Sequence, residues 1–390
     1  MGLLPVFEAG GGLRIVSPGA LAPWLNTTRA AGGGTTWSGG APVSAAVDTP
    51  RFDQASRLLV EEARTNLALD SNALNSANWN NGGLASSVSG GGFLLTEAAT
   101  NAEHELFNGG VATTAAVVYT VYADLQAGTR TQAFVSFAIA GGRLGAFFDL
   151  SAGTVGAVDG GVTAAIVDLG GGVYRCIIIL TAATTATRFI SIFSAAGGSR
   201  TTSGSGTVVG YRAQCEAAGF STSFIISAGV AGARAVDQIQ GTLPGWFSAA
   251  AGTVIARAML PQNAGGTPQG VIGFSDGTNN NRIVMRNGSA AVMNALTVAG
   301  GVTQVNVATG NSYTAGSAFK AAIAWDSAGA CVCMNGGTVV TGTGTLPTGL
   351  TTAWIGQAAA SSAQPMNGAL EWLEYYPVRL ANAALQGLTT

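Results

Sequence analysis

Charged residues are scarce in this 390-residue chain, where Asp, Glu, Lys and Arg make up 9% of the residues. An ordinary soluble domain contains about 25%. Lys320 is the only lysine among the 17 basic residues, the formal net charge is −2, and the arginines are spread singly along the chain. Nucleic-acid binding through a basic patch is therefore not expected, because such binding depends on clustered Lys and Arg that neutralise phosphates.

Long apolar runs and paired cysteines are also missing. The longest apolar run, CIIIL at 176–180, is far shorter than the ~18 residues of a membrane-spanning helix, and the start of the chain has no basic and apolar secretion signal. The four cysteines have no metal-type spacing, which predicts free and mostly buried thiols: Cys176, Cys215, Cys331 and Cys333. We therefore expect that the chain does not insert into a membrane. We also expect that it is made in a reducing cytoplasm.

Glycine, by contrast, is abundant, with 58 residues and no three-residue period. A chain rich in Gly, Ala, Thr and Val is typical of short strands joined by tight turns. VVYTVYADLQ alternates two sets of side chains, and AAIVDLGGGVYRCIIIL places a three-glycine turn between two apolar strands. Strands recur about every ten residues, which indicates β-sandwiches or jelly rolls.

Three regions differ in texture. Residues 1–57 lack periodicity and are broken by glycine clusters and by Pro5, Pro18, Pro23, Pro42 and Pro50. We expect an irregular N-terminal arm that lies along a partner or along a neighbouring domain. Residues 58–237 and 238–390 each have the strand pattern of one sandwich, with a seam at Arg234–Asp237 and a short helix in the final LANAALQGL. The predicted fold class is all-β: two tandem jelly-roll β-sandwiches preceded by an irregular N-terminal arm.

Catalytic motifs fail on inspection. GFSDG at 273–277 matches the G-x-S-x-G consensus of the serine-hydrolase nucleophile elbow, which requires a following helix and a histidine later in the chain. Here the only histidine, His104, comes earlier, and the residues after the motif predict a turn and a strand. Glu371 and Glu374 would lie on opposite faces of a strand, which is a poor arrangement for a glycosidase pair. We predict that the chain is not an enzyme and needs no cofactor. A Ca²⁺ ion on Asp276 and Asn279–Asn281 stays open as an alternative.

Ligand binding is the remaining kind of site. Glu103–His104–Glu105 is the one acid–base cluster, interpreted either as a ligand contact or as a solvated strand end. A tryptophan such as Trp325 could stack on a sugar ring, although its apolar strand favours core packing. Asparagine-rich turns offer hydrogen bonds. The candidate ligand-contact residues are accordingly Glu103, His104, Arg143, Asn279, Asn280 and Trp325.

One stretch carries a specific resemblance. PRFD at 50–53, followed by LLVEEARTNLALDSNALNSANW at 58–79, resembles a motif of virion head-spike and tail-fibre proteins of phages and gene-transfer-agent-like particles. FFDLSAGTVG, DLGGGVYRC and AQCEAAGFSTSFI are similar to the carbohydrate-binding-module-type jelly roll of that family. SDGTNNNRI, AWDSAG and LPTGLTTAWIG are similar to a concanavalin-like, laminin-G-type module. The resemblance thus assigns 58–237 to the first module type and 238–390 to the second.

The resemblance implies a virion-surface spike or fibre subunit that is anchored to other virion proteins by its N-terminal arm. It further implies a homotrimer that attaches to host-surface polysaccharide without covalent chemistry. A purely structural capsid-decoration or tail-associated protein is one alternative, and a capsule depolymerase, disfavoured by the missing carboxylate pair, is another. Within the motif we expect a structural junction, in which Arg64 pairs with Glu61 or Glu62 and Asn66 satisfies backbone groups. Its residues are Glu61, Glu62, Arg64, Asn66 and Trp79.

Overall fold

The structure is a computed structural model that describes residues 12–30, 34–38, 41–139, 142–261, 267–288, 290–358 and 364–390. The first eleven residues of the expected arm lie outside this part of the chain. Strands account for 56% of the structure and helix for 2%, arranged as antiparallel sheets, which confirms the all-β fold class. Among the residues described, no helix has the length and the apolar character that crossing a membrane requires.

The chain forms two compact units. Unit 1 combines Met1–Ala63 with Ala235–Thr390, and unit 2 is Arg64–Arg234. Unit 2 is therefore inserted into the sequence of unit 1. The segment expected as a separate arm belongs to the same unit as the C-terminal 156 residues.

Unit 1 has two large antiparallel sheets. Across sheet I the described strands run in the order Ala20–Leu21, Leu13–Ser17, Gly368–Tyr376, Gly252–Met259, Ala318–Asp326, Gly329–Met334 and Val340–Thr343. Leu58–Val60 also pairs with Gly368–Tyr376 and with Arg51–Phe52. Across sheet II the order is Val302–Ala308, Met293–Ala299, Arg282–Asn287, Gln269–Ser275, Thr352–Ile355, Gln238–Thr242 and Asn26–Thr28. Unit 1 also contains a two-stranded sheet, Thr35–Ser38 with Ala41–Ser44, and the helix Asn382–Thr389.

The N-terminal segment of unit 1 contributes strands to both sheets. Leu13–Ser17 pairs with Gly368–Tyr376, and Asn26–Thr28 pairs with Gln238–Thr242. Ile15 and Val16 are buried in the same hydrophobic cluster as residues from both sheets. The described residues of this segment are therefore strands of unit 1 itself.

Ile15 offers a direct measure of that packing. Ile15→Val is expected to lower the free energy of unfolding of unit 1 by about 1 kcal/mol, because one buried methylene is removed from a side chain that is 1% exposed. Val47→Ala, in the same segment but 51% exposed, is the control and should change stability by less than about 0.5 kcal/mol. Urea unfolding followed by tryptophan fluorescence measures both, and equal effects would contradict a packed N-terminal strand.

Unit 2 is a sandwich of two antiparallel sheets. Sheet III has the order Leu84–Ser89, Gly92–Glu97, Thr207–Glu216, Val118–Ala127, Val173–Thr181 and Val162–Asp168. Sheet IV has the order Thr154–Val158, Gly142–Asp149, Gln132–Ile139, Ala186–Ala195, Glu105–Thr113 and Trp79–Gly82. Two short pairs, Ala102–Glu103 with Thr201–Thr202 and Arg64–Asn66 with Gly232–Arg234, lie beside them.

The core of unit 2 follows the strand alternation. Val121, Ala123 and Leu125 of sheet III are buried in one cluster with Val135 and Ile192 of sheet IV, as expected for two sheets packed face to face. The predicted three-glycine hairpin turn is present, and all three glycines have positive φ, a conformation that residues with a Cβ rarely adopt: Gly170, Gly171 and Gly172.

Candidate functional site

The side of sheet IV that faces away from the core carries phenylalanines. Successive side chains in a strand point to opposite faces, and Val135, Phe148 and Ile192 point into the core. Such an outward side is ordinarily polar. We call the phenylalanines that alternate with the core residues here the aromatic face: Phe107, Phe134, Phe147, Phe189 and Phe193.

The rings of the aromatic face contact one another. Phe134 lies 4.7 Å from Phe147 and 5.9 Å from Phe193 between ring centroids, and Phe107 meets Phe189 edge-on at 5.5 Å. Phe134 and Phe193 are buried, whereas Phe189 is 38% exposed. The layer therefore has two covered rings, two partly exposed rings (Phe107 and Phe147) and one ring, Phe189, that is open to solvent.

Two arginines cover the buried rings. The Arg143 guanidinium lies 5.5 Å from the centre of the Phe193 ring, and Arg200 lies 5.0 Å from Phe134 and 5.3 Å from Phe193. Arg143 forms a two-pronged ion pair with Glu105 at 2.6 Å and 2.5 Å, and Arg200 pairs with Glu103 at 2.9 Å. The surface of the aromatic face thus presents planar hydrogen-bonding groups whose charges balance.

A row of small residues crosses the aromatic face. Ser136 lies opposite Gly145 on one neighbouring strand and opposite Ser191 on the other. Ser191 Oγ is 3.4 Å from Arg143 Nε, whereas Ser136 Oγ is buried and has no hydrogen-bond partner among the described groups. Leaving a buried hydroxyl unpaired costs roughly 1–3 kcal/mol, and a group kept at that cost is a candidate for a functional role.

The acid–base cluster of the sequence spans the end of the strand Ala102–Glu103 and the start of the strand Glu105–Thr113, with His104 between them. Glu103 and Glu105 both pair with arginines of the aromatic face. His104 is fully buried, with Nδ1 3.0 Å from the Gly83 carbonyl oxygen and Nε2 3.0 Å from that of Thr100. The imidazole therefore contacts the backbone and presents no atom to a ligand. Glu105 was not among the candidate contacts, but it reaches the aromatic face, whereas the neighbouring His104 was a candidate and is buried.

The remaining candidate contacts lie in unit 1. Trp325 is 0% exposed and packs among Phe247, Phe274 and Tyr375, so its ring has no free face for a sugar. Asn279 and Asn280 lie exposed on the turn between the strands Gln269–Ser275 and Arg282–Asn287. Among the alternatives weighed for Trp325, core packing is the one that the structure shows.

The turn weighed as a Ca²⁺ site has its side chains engaged with one another. Asp276 Oδ1 accepts hydrogen bonds from the backbone and hydroxyl of Thr278, and Oδ2 accepts one from Asn281. These bonds lower the pKa of Asp276. Within the described ranges, no group of three or more His, Cys, Asp or Glu side chains is arranged to hold a metal ion.

The motif at 50–79 forms a buried ionic cluster in unit 1, which we call the junction network: Arg29, Arg51, Glu61 and Asp237. Arg51 donates to Glu61 at 2.7 Å and through Nε to Asp237 at 3.0 Å, and Arg29 donates to Asp237 at 3.2 Å. The Glu61 N–H donates to Asp237 Oδ2 at 3.1 Å, and the Asp237 N–H donates to the Glu61 carbonyl oxygen at 2.9 Å. Burial alone would lower the pKa of Arg51, but the two carboxylates outweigh it and raise that pKa.

The other motif residues have local structural roles. Glu61 pairs with Arg51, and the guanidinium of Arg64 lies 4.6 Å from the Phe220 ring and donates to the Ala217 carbonyl. Asn66 satisfies backbone groups as expected: its amide donates to the Ile225 carbonyl at 2.8 Å and its oxygen accepts from the N–H groups of Ala68 and Cys215. Glu62 accepts from Asn367 at 3.0 Å. Trp79 is buried in the core of unit 2 and donates to the Asp70 carbonyl.

Comparison with known proteins gives only distant likenesses. No family model and no curated protein matches the chain. Among solved structures, the CBM40 module of Ruminococcus gnavus IT-sialidase bound to α2,3-sialyllactose is 14% identical, with 36% of this chain and 83% of that chain covered and a TM-score of 0.32. The mouse laminin α1 domains LG4-5 are 10% identical, with 81% and 93% covered and a TM-score of 0.27.

A native heptameric SAP-like pentraxin from Limulus polyphemus is also similar, at 13% identity, with 38% of this chain and 72% of that chain covered and a TM-score of 0.28. At such scores these likenesses support no conclusion about what this chain binds.

Proposed function

We propose that the chain is a spike or fibre subunit on the surface of a phage-type virion, and that it attaches to host-surface polysaccharide through the aromatic face without covalent chemistry. The observation that carries this proposal is an outward sheet face built from phenylalanine rings and two Arg–Glu pairs. Apolar CH faces of sugars pack on aromatic rings, and planar charged groups bind neighbouring sugar hydroxyls.

The virion assignment rests on the motif at 50–79. Its residues stabilise the fold. Arg51 and Glu61 belong to the junction network, Asn66 bonds to three backbone groups, and Trp79 is a core residue. Because these residues stabilise the fold and contact no ligand surface, the motif supports a common architecture with spike and fibre proteins. It does not support a common ligand. A homotrimer anchored by the N-terminal residues would present several aromatic faces to one polymer, so that weak contacts add.

A purely structural role is the second candidate, and the exposed ring of Phe189 is the observation that favours it. Aromatic side chains are enriched at the centres of protein interfaces. The aromatic face would then bind another virion protein or a second copy of the chain. If the chain binds glycan, a substitution of Phe189 changes glycan affinity. If its role is purely structural, the same substitution changes the state of association.

Binding of the purified chain to a panel of bacterial surface polysaccharides tests the proposal. Phe189→Ala and Arg143→Ala are each expected to weaken binding about tenfold or more, because one removes the open ring and the other breaks the pair with Glu105. Val88→Ala, on sheet III and 73% exposed, is the matched control and should bind like the parent chain.

Three outcomes would contradict the proposal in different ways. Equal losses in Phe189→Ala and Val88→Ala would place binding elsewhere. Absence of any polysaccharide binding, together with a change in oligomeric mass on Phe189→Ala, would establish the structural role. Release of new reducing ends from the polysaccharide would establish a depolymerase.

A further inference from the structure

A second polar site lies on the outward side of sheet II, in unit 1. Arg282 and Arg286 are four residues apart in one strand, so their side chains leave the same face. The alternate residues Ile283 and Met285 point into the core of unit 1, which places both arginines on the opposite side. Both side chains are half-buried.

Neither arginine has a carboxylate partner among the described residues. Arg282 donates to the Ala358 carbonyl at 2.7 Å and to Asn279 Oδ1 at 3.2 Å. The Nε atoms of both arginines are buried without a hydrogen-bond partner in the described part of the chain. In that same part, eleven other arginines each lie within ion-pair distance of an Asp or Glu. In a chain so poor in charge, two neighbouring cations without an acid are an exception.

Holding these cations on one face is costly for the folded chain. Burial lowers the pKa of both guanidinium groups, and the positive charge of Arg282 lowers the pKa of Arg286 further. A half-buried charge is tolerated when a counter-charge or hydrogen bonds compensate it. An anion bound between the two arginines would supply that compensation and relieve their mutual repulsion.

The surroundings fix the arginines and add amide groups. Val284, which lies between them in the strand, is buried with Leu296, Val298 and Ala358 in one apolar cluster, so the aliphatic stems leave from a packed surface. Asn294 lies directly opposite Arg286 on the neighbouring strand, and its amide donates to Asn306 Oδ1 at 3.3 Å. Amides beside a cation pair can bind hydroxyls next to an acidic group.

We propose that Arg282 and Arg286 form an oxyanion-binding site whose ligand is the acidic group of a glycan, a carboxylate in the first instance. Guanidinium groups bind carboxylate, sulfate and phosphate through paired N–H donors, so all three share the chemistry of the site. The site belongs to unit 1 and has its own residues, and it goes beyond the glycan binding proposed for the aromatic face of unit 2.

Calorimetric titration of the full-length chain tests the site, with methyl glucuronide, inorganic sulfate and inorganic phosphate as separate probes and methyl glucoside as the uncharged probe. Methyl glucuronide is expected to bind with an affinity that falls as salt is added, and methyl glucoside more weakly by about tenfold or more. Tighter binding of sulfate or phosphate would assign the site to those anions instead. Binding of none of the three anions would overturn the proposal.

Matched substitutions locate the effect. Arg286→Gln is expected to weaken anion binding about tenfold or more, and Arg282→Gln with Arg286→Gln to abolish it. Arg257→Gln, which removes an arginine paired with Glu371 on sheet I, should leave anion binding within about twofold. Unchanged binding in the double variant would reject the site.

Stability without ligand separates binding from a structural role. If the two arginines serve a ligand, Arg286→Gln should be at least as stable as the parent chain, since a desolvated cation is removed; a clear loss of stability would show that the pair holds the fold together. Phe189→Ala should leave anion binding unchanged, so failure of this site and failure of the aromatic face give different results.

Discussion

Asp237→Asn is expected to lower the free energy of unfolding of unit 1 by about 3–5 kcal/mol, the usual cost of removing one member of a buried ion pair. Asp237 accepts hydrogen bonds from Arg29, from Arg51 and from the backbone of Glu61, and it is 1% exposed. Without its charge, the buried guanidinium of Arg29 loses its carboxylate partner in the described junction network, and that of Arg51 keeps Glu61 alone in that network.

Urea unfolding followed by tryptophan fluorescence measures this loss, because six of the seven tryptophans belong to unit 1. Asp326→Asn is the matched control: the same chemical change on a carboxylate that is 41% exposed and 3.6 Å from Arg379. An exposed pair of this kind contributes about 0–1 kcal/mol. A loss below about 1 kcal/mol for Asp237→Asn would contradict the role given to the junction network.

Unit 2 is expected to lose about 3 kcal/mol of stability in acid through Glu97. Burial would raise the pKa of this carboxyl, but hydrogen bonds from Arg130, Thr202 and the Gly206 N–H outweigh it and lower the pKa to about 2, from an ordinary value of 4.5. Because the folded pKa is the lower one, the stabilisation is fully present above pH 4.5 and is lost as the pH falls towards 2.

Calorimetric unfolding of the unit 2 transition between pH 7 and pH 2 checks this expectation. Glu97→Gln should be about 3 kcal/mol less stable than the parent chain at pH 7, and the two should converge near pH 2. Glu103→Gln, whose carboxylate is 44% exposed, is the control and should follow the parent profile. A Glu97→Gln profile parallel to that of the parent would show that this carboxylate does not cause the acid loss.

Strand alternation in the sequence was enough to predict the central strands, because their pattern is long and both faces are packed. All of VVYTVYADLQ except its first valine lies in the strand Val118–Ala127, and CIIIL lies in Val173–Thr181. The strands of the N-terminal segment could not be found in this way. They are two to five residues long, which is too short for a period to be visible. Leu13 pairs with Tyr375, so the partner that orders the segment is at the other end of the chain.

The candidate sites depended on the same distinction between local and distant neighbours. Glu103 and Arg143 were both candidates, and both lie on the aromatic face. The phenylalanines of QAFVSFAI and RFISIF were missed because these strands have apolar residues on both faces, so their pattern gives no sign of which face packs inward. The sequence analysis looked for the partners of Glu61 and Glu62 within three residues, at Arg64, whereas Asp237, which bonds to Glu61 in the junction network, is 176 residues further along.

The two points where the chain leaves and re-enters unit 1 have a consequence for how such proteins diversify. Arg64 and Arg234 are register partners at the ends of unit 2, and Glu61 and Asp237 bond to each other in unit 1. Register partners in antiparallel strands are only about 5 Å apart. The first and last residues of unit 2 are therefore side by side, and so are the two points at which unit 1 is interrupted. Recombination at the codons that flank Arg64 and Arg234 would exchange all of unit 2 and leave the sequence of unit 1 unchanged.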